Sequence, residues 1–385
     1  VGMQAQVSLP AVFTDHMVLK QKSEVPVWGW GSASATIKVV GSWAPQDTAT
    51  TVVRSDGTWD TTLKTIGAGG PYTLSVLGDG TRELKDVMLG EVWLCSGQSN
   101  MEWTPMHGID NSEEEVAAAN YPNIRFFHIP KRGAASPQNN CEASWAPCTP
   151  DRMKSTSAIA YFFGRDLQKD LNVPVGLIVS AWGGTPAEVW VPEEQVMNNP
   201  RIRDVMPDKT YPWWPVEPGV LYNQMISPVV PYALAGAIWY QGESNRDHPD
   251  SYGILLKTMV ESWRKSFKKD FPFYLVQIAP FTYNAGDNGA ALVREHQEWV
   301  ARTVPGAGMV AVSDCVADVK NIHPTDKQSV GQRLANMALG KIYGRLDSGY
   351  ESPLFESMTI DKNKAVISFL HAGNGLMCKD KEITG

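Results

Sequence analysis

Ser99 stands where a buried strand gives way to a polar turn. Residues 90–103 read GEVWLCSGQSNMEW: Val92, Trp93 and Leu94 form an apolar run that breaks at Ser96-Gly97-Gln98-Ser99-Asn100. A strand ending in a small, glycine-containing turn delivers its side chains to the carboxyl edge of a parallel sheet, where open α/β folds bind ligands. A serine at that place can act as a nucleophile, and between strand and helix it can equally be an N-cap. Three more polar stretches follow apolar runs in the same manner: Gly183-Gly184, Gln241-Gly242-Glu243, and His323 a few residues beyond the last run. Ester hydrolysis needs a nucleophile, a base to take its proton and donors for the oxyanion. Ser99 and His323 are candidates for the first two, although a histidine ahead of a helix can also be purely structural. Pro324, in the first turn of that helix, would fix His323 at the helix start. The turn around Ser99 is not GxSxG, which excludes the nucleophile elbow of the α/β-hydrolases.

The elements that must bring these stretches together are legible as a change of pattern near residue 88. Residues 1–87 read as an all-β accessory domain: VPVWGWG, ATIKVVGSW, TTVVRSDGTWDTTL and YTLSVLGDGTREL are short β-branched and aromatic runs separated by turn signals. Residues 88–345 alternate strands with helices. MLGEVWLCS, VPVGLIVSAW, LAGAIWYQG, PFYLVQIAP and GAGMVAVSD are the strands; STSAIAYFFGRDLQKDL, DSYGILLKTMVESWRKSF, ALVREHQEWVART and a last segment over 324–343 are helical. That alternation predicts a five-stranded parallel sheet in a flavodoxin-like α/β/α sandwich. Two long irregular stretches, 110–150 and 186–231, are expected to wall a cleft. Residues 346–385 return to β-like sequence and end abruptly, as a truncated segment does.

Composition bounds the rest. A chain of 385 residues, 43% hydrophobic and 19% charged, has the make-up of a soluble globular protein of two or three domains, and no apolar run is long enough for membrane insertion. A net charge of -7 argues against a nucleic acid partner. Fourteen tryptophans are many, and Trp103, Trp182, Trp190, Trp213 and Trp214 fall in loop-like contexts. Exposed indoles suit sugar-binding clefts, and buried ones suit a large core. The cysteines follow no metal spacing, and there is no P-loop or dinucleotide fingerprint, so neither metal nor cofactor is expected. Cys141 and Cys148 flank a short loop and can form a local disulfide; Cys95, Cys315 and Cys378 lack evident partners. Nothing in the sequence sets an oligomeric state.

The block GEVWLCSGQSNMEW resembles the nucleophile block of the sialate O-acetylesterase family, a branch of the SGNH hydrolases. SAWGGTPAEVW (180–190), IWYQGESN (238–245) and NIHPTDKQSVGQRLA (321–335) resemble further blocks of that family, in the family's order. The resemblance implies an SGNH-type fold, a serine esterase that removes O-acetyl groups from sugars, and Ser99 and His323 as its nucleophile and base. It places the oxyanion donors at the Ser99 backbone, Gly183 or Gly184 (Gly184 first), and the Gln241 side chain. Gln98, Glu243, Asn245, Asn223 and Trp182 fall at positions that would meet substrate or orient the donors. Glu188, Tyr222, Arg294 and Glu295 also match positions near the cleft, as substrate contacts or as buried pairs. The chain departs from the family where related sequences carry Asp two residues before the histidine, as in DIHP, and this one has Asn321. Asp318 is then the first choice for the carboxylate partner of His323, with Asp314 or a backbone carbonyl as the alternatives. The implied substrate is an acetylated sugar, sialic acid foremost, with acetylated xylan or another plant glycan as the second enzymatic reading. A non-catalytic carbohydrate-binding protein on a degenerate hydrolase fold is the reading from another class. The family also implies a periplasmic or secreted location.

Overall fold

The computed structural model describes residues 6–206, 210–284, 286–373 and 375–376. Its N-terminal strands are β1 (Val18–Lys20), β2 (Glu24–Trp30), β3 (Thr36–Gly41), β4 (Ala49–Val52), β5 (Thr58–Lys64) and β6 (Gly69–Leu77). The long β7 (Thr81–Gly97) follows, then β8 (Tyr121–His128), β9 (Trp145–Cys148), β10 (Val175–Ala181), β11 (Gly236–Tyr240), β12 (Phe273–Val276) and β13 (Ala307–Val310). A terminal hairpin joins β14 (Leu354–Asp361) to β15 (Lys364–Leu370).

β7 organises the molecule. Its first half pairs antiparallel with β6, from Leu77↔Thr81 to Gly69↔Leu89. Its second half runs parallel between β10 (Val175↔Glu91 through Ala181↔Gly97) and β11 (Gly236↔Trp93 through Tyr240↔Gly97). One strand thus serves both the β-rich N-terminal part and the α/β part, and the change of pattern at residue 88 falls inside it rather than in a linker. Gly90 lies at the crossover, where a Cβ would stand 1.9 Å from the Pro174 carbonyl oxygen.

The large sheet has the order β13-β12-β11-β7-β10-β8-β9, parallel except for β9 at its edge. All five expected strands are present. The stretch 110–150, expected to be irregular, adds β8 and β9 and a short helix, Ser112–Ala118. The run Ile124–Phe127 is fully apolar-buried apart from Arg125, but Pro122, Asn123 and Pro130 around it hide the strand signal. Both faces of the sheet are covered, as a parallel sheet requires. Val92 and Leu94 face a core with Trp239, Leu255 and Trp263; Trp93 and Cys95 face another with Ile159, Phe162 and Leu334. Helices Pro249–Phe267 and Gly289–Thr303 cover the first face, Ala158–Leu171 and Lys327–Lys341 the second. The first core runs on into the N-terminal strands through Val27, Ile37 and Leu74.

The last helix starts at Lys327, with the Asp326 side chain accepting from the Ser329 N–H (2.9 Å), so Pro324 lies in the bent segment ahead of it rather than in its first turn. Cys141 and Cys148 are both free thiols, which overturns the expected local disulfide; Cys148 is buried at the end of β9, where its thiol meets the Ala119 carbonyl. Cys378 lies outside the described residues. Among the described residues no helix is long and apolar enough to cross a membrane.

Candidate active site

The four polar stretches meet at the carboxyl edge of β7, β10 and β11. β7 ends at Gly97, whose φ of 142° and closeness to Tyr240 (a Cβ would lie 2.2 Å from the Tyr240 carbonyl oxygen) leave no room for a side chain. The chain turns there, and Ser99 begins the single turn Ser99–Glu102 with its hydroxyl half-buried. His323 Nε2 lies 2.9 Å from Ser99 Oγ, within hydrogen-bond reach of a nucleophile and its base. The imidazole is stacked on the Trp103 indole, with centroids 4.0 Å apart and planes at 19°, and its backbone N–H donates to Asn321 Oδ1 (3.0 Å). Burial, with the nearby Lys327 and His107 charges, pulls His323 down to about 4. The imidazole is therefore neutral at pH 7 and free to accept the Ser99 proton.

Neither acid expected to partner His323 is seen hydrogen-bonded to it; both carboxylates have other partners. The Asp318 carboxylate accepts from the Lys320 N–H (2.9 Å) and caps its own exposed turn, while Asp314 forms a two-pronged pair with Arg333 at 2.7 and 2.6 Å. What holds the base is a stacked ring and its own backbone. Asn321, standing where related sequences carry Asp, restrains the His323 main chain rather than its side chain.

Three of the expected oxyanion donors differ in availability. Gly183 packs against Ser99, since a Cβ there would lie 3.1 Å from the serine Cβ, but its N–H already donates to Glu102 Oε2 (2.5 Å). The other Glu102 oxygen accepts from Lys131 (2.6 Å). Gly184 needs its left-handed φ of 78° and lies under the Trp214 indole, 2.5 Å from where a Cβ would be. Gln241 is committed elsewhere. Fully buried, it donates to the Thr185 carbonyl (3.2 Å) and Asn245 Oδ1 (2.7 Å), and its Oε1 accepts from Tyr252 (3.1 Å). The amide expected to hold an oxyanion thus has its hydrogen bonds inside the protein.

Most residues expected to touch substrate belong to two buried seams that join the blocks. In one, Asn245 accepts from Gln241 and the Ala187 N–H (2.9 Å) and donates to Glu188 (2.8 Å), whose carboxyl is raised by burial. This seam joins the second block to the third. In the other, Asn100 donates to Glu243 (2.9 Å) and to the Ile322 carbonyl (3.1 Å) and accepts from Lys327 (2.6 Å), joining the first, third and fourth. Gln98 Oε1 adds bonds from the Gly242 and Ser244 N–H groups. The Ile322 bond fixes the residue before the base to the residue after the nucleophile. Lys327 is 1% exposed and burial draws its amine down to about 7; burial raises Glu243. Trp182 is half-buried and donates its backbone N–H to the Gly97 carbonyl (3.1 Å). Asn223 is pinned to the Ala134 carbonyl (3.0 Å), Tyr222 bonds Ser266 (2.7 Å), and Glu295 is exposed; none of these three is joined to the Ser99–His323 pair. Arg294 is half-buried, and its carbonyl accepts from Gln277 (3.3 Å).

Sequence pattern does not single out Asn100, Glu102 and Lys327, and it offers Trp103 only as one of several loop indoles, not as the ring stacked on His323. Lys327 did carry a signal: a lysine in the first turn of a helix opposes the helix dipole and needs another reason to be there. Beside Gly184 opens a cavity of about 160 Å³ lined by Pro186, Tyr211, Trp214, Ser244 and His248. Tyr211 and Trp214 stack with centroids 5.0 Å apart, an aromatic wall of the kind sugar rings pack on. The stretch 186–231 supplies that wall, as expected; Trp190, by contrast, is core.

Comparison with known proteins places the chain in a family. The family model described as carbohydrate esterase, sialic acid-specific acetylesterase, matches residues 89–340. Sialate O-acetylesterase of Homo sapiens is 31% identical over 395 aligned residues, covering 93% of this chain and 75% of its own. The Mus musculus protein of the same name is 31% identical, covering 88% and 74%. The crystal structure of XAC1771, a carbohydrate acetylesterase from Xanthomonas citri, superposes with a TM-score of 0.84 at 34% identity over 95% of this chain and 82% of that one. The chain is a member of the sialic acid-specific acetylesterase family of carbohydrate esterases.

Proposed function

We propose that this esterase cleaves O-acetyl groups from sialic acids through an acetyl-Ser99 intermediate. The observation that carries the reading is the 2.9 Å contact between Ser99 Oγ and a neutral His323, beside a cavity with an aromatic wall. Ser99 Oγ attacks the acetyl carbonyl as its proton passes to His323 Nε2. The tetrahedral oxyanion is held by the Ser99 and Gly184 N–H groups, joined by Gly183 N–H if Glu102 swings toward Lys131. Collapse expels the sugar oxygen, which takes the proton from His323, and leaves acetate esterified to Ser99. Water then attacks that ester with His323 again as base, releasing acetate and restoring the serine. The relatives' activity supports sialic acid as the sugar, and we propose a periplasmic or secreted location on the family resemblance.

Acetate release from O-acetylated N-acetylneuraminic acid, set against acetylated xylan, tests the substrate. The proposal expects a kcat/KM at least about tenfold higher on the sialic acid, a difference of about 1.4 kcal/mol in transition-state binding. Equal rates, or preference for xylan, would transfer the assignment to a neutral glycan while leaving the mechanism in place.

A further inference from the structure

A cavity bordered by the N-terminal strands lies away from the hydrolytic pair. It is a groove of about 860 Å³ between the antiparallel β2–β5 pair and the segments 231–234 and 267–271, which lead into β11 and β12. Ser99 lies beyond the opposite, carboxyl ends of the same strands. β11 alone spans roughly 16 Å at about 3.3 Å per residue, so a monosaccharide at Ser99 cannot reach the groove.

This two-stranded sheet presents two faces. Val25, Val27 and Gly29 are buried, while Pro26, Trp28 and Trp30 alternate with them and are partly open. Register sets Thr62, Asp60 and Thr58 directly opposite Pro26, Trp28 and Trp30. Indole beside hydroxyl and carboxylate, on a rigid antiparallel ladder, is the chemistry that grips a sugar ring by its C–H face and its hydroxyls. Around this platform stand Lys20, Lys22, Lys268 and Lys269, none in an ion pair among the described residues, and Arg54, which pairs with Asp60. Glu24 is the other acid lining the groove. Five cations against two acids gives the groove a charge of about +3 in a chain of net charge -7. Lys268 is set at the end of its helix by a left-handed φ of 54°, beside the exposed Lys269.

We propose that this groove is a second binding site, for an anionic oligosaccharide whose sugar rings lie on Trp28 and Trp30 and whose carboxylates meet the lysines. It would hold a polymeric glycan on the enzyme without touching the acetyl group being cleaved. Charge and indoles together favour such a glycan over a neutral one. The acidic chain as a whole disfavours nucleic acid, which also stacks on indoles.

The binding can be measured apart from hydrolysis. The full chain is titrated calorimetrically with a short linear oligomer of N-acetylneuraminic acid carrying no O-acetyl groups, in low and in raised salt. The proposal expects saturable binding that weakens with salt. It expects Trp30→Ala, and separately Lys268→Gln with Lys269→Gln, to weaken binding about tenfold or more. The lysine variants touch no core residue, so they remain informative if Trp30→Ala folds poorly. Ser99→Ala should bind as the wild type does. Absence of binding, unchanged binding by the lysine variants, or equal binding of a neutral xylo-oligosaccharide or of a single-stranded oligonucleotide would overturn the proposal.

Discussion

The Ser99–His323 pair and the Gln241–Asn245–Glu188 seam lie at the same sheet edge and are built in opposite ways. The pair is half-buried, joined by one hydrogen bond, and backed by a stacked indole rather than a carboxylate. The seam is sealed: all three side chains are at most 2% exposed, and Asn245 alone exchanges bonds with Gln241, the Ala187 N–H and Glu188. The contrast separates two kinds of motif residue. Some are left free to meet a reactant, and others spend their polarity fixing one loop to the next. A polar residue at the carboxyl end of a parallel strand is not thereby a substrate ligand. Where a buried amide has its hydrogen bonds within the protein, removing it leaves partners unsatisfied and costs stability before it costs chemistry.

Breaking each side should therefore give different signatures. His323→Ala should lower kcat by roughly 10³-fold or more, with the melting temperature close to that of the wild type. Asn245→Leu keeps the branching and the number of side-chain heavy atoms but strands Gln241, Glu188 and the Ala187 N–H, and should cost about 2–4 kcal/mol of stability in urea unfolding. A smaller effect isolates the charge behind the base. Because His323 must be neutral to accept a proton and lies down near 4, the kcat/KM profile should fall only as pH drops through about 4. Lys327→Met removes a positive charge that opposes the imidazolium, so His323 should rise toward its ordinary value and the acid limb move to higher pH. A limb that stays in place would show that Lys327 acts through its Asn100 hydrogen bond and its packing rather than through its charge on His323. The smallest effect is expected at Asp318, whose carboxylate is spent on its own turn: Asp318→Asn should leave kcat/KM within about twofold. A loss comparable to that of His323→Ala would restore Asp318 to the triad.

The parallel sheet and the convergence on Ser99 were readable because both depend on local pattern. Apolar runs buried on both faces betray parallel strands, and polar turns after each run betray the edge they share. β8 and β9 escaped because Arg125 and the flanking prolines and asparagine interrupt a run that is otherwise buried. The long β7 was readable only in halves, since its first half alternates with one partner and its second is buried between two. The partner of His323 was out of reach for a different reason. Proximity in sequence suggested Asp318, but side-chain direction decides the matter, and the 318–320 turn directs that carboxylate to Lys320. The same holds for Gln241: its type suits an oxyanion donor, and only the positions of Thr185 and Asn245 show that its amide hydrogens are taken, as that of Tyr252 shows that its oxygen is. Sequence pattern reports where a residue stands on the chain, and the site's chemistry depends on which way it turns.

The central claim is that Ser99 is the group that takes the acetyl. Its most direct test is the rate of p-nitrophenyl acetate hydrolysis by wild type and Ser99→Ala, both shown to be folded by their melting curves. The account predicts steady turnover by the wild type and a residual rate near background for Ser99→Ala at an unchanged melting temperature. An inert wild type, or a Ser99→Ala enzyme that keeps its full rate, would contradict it.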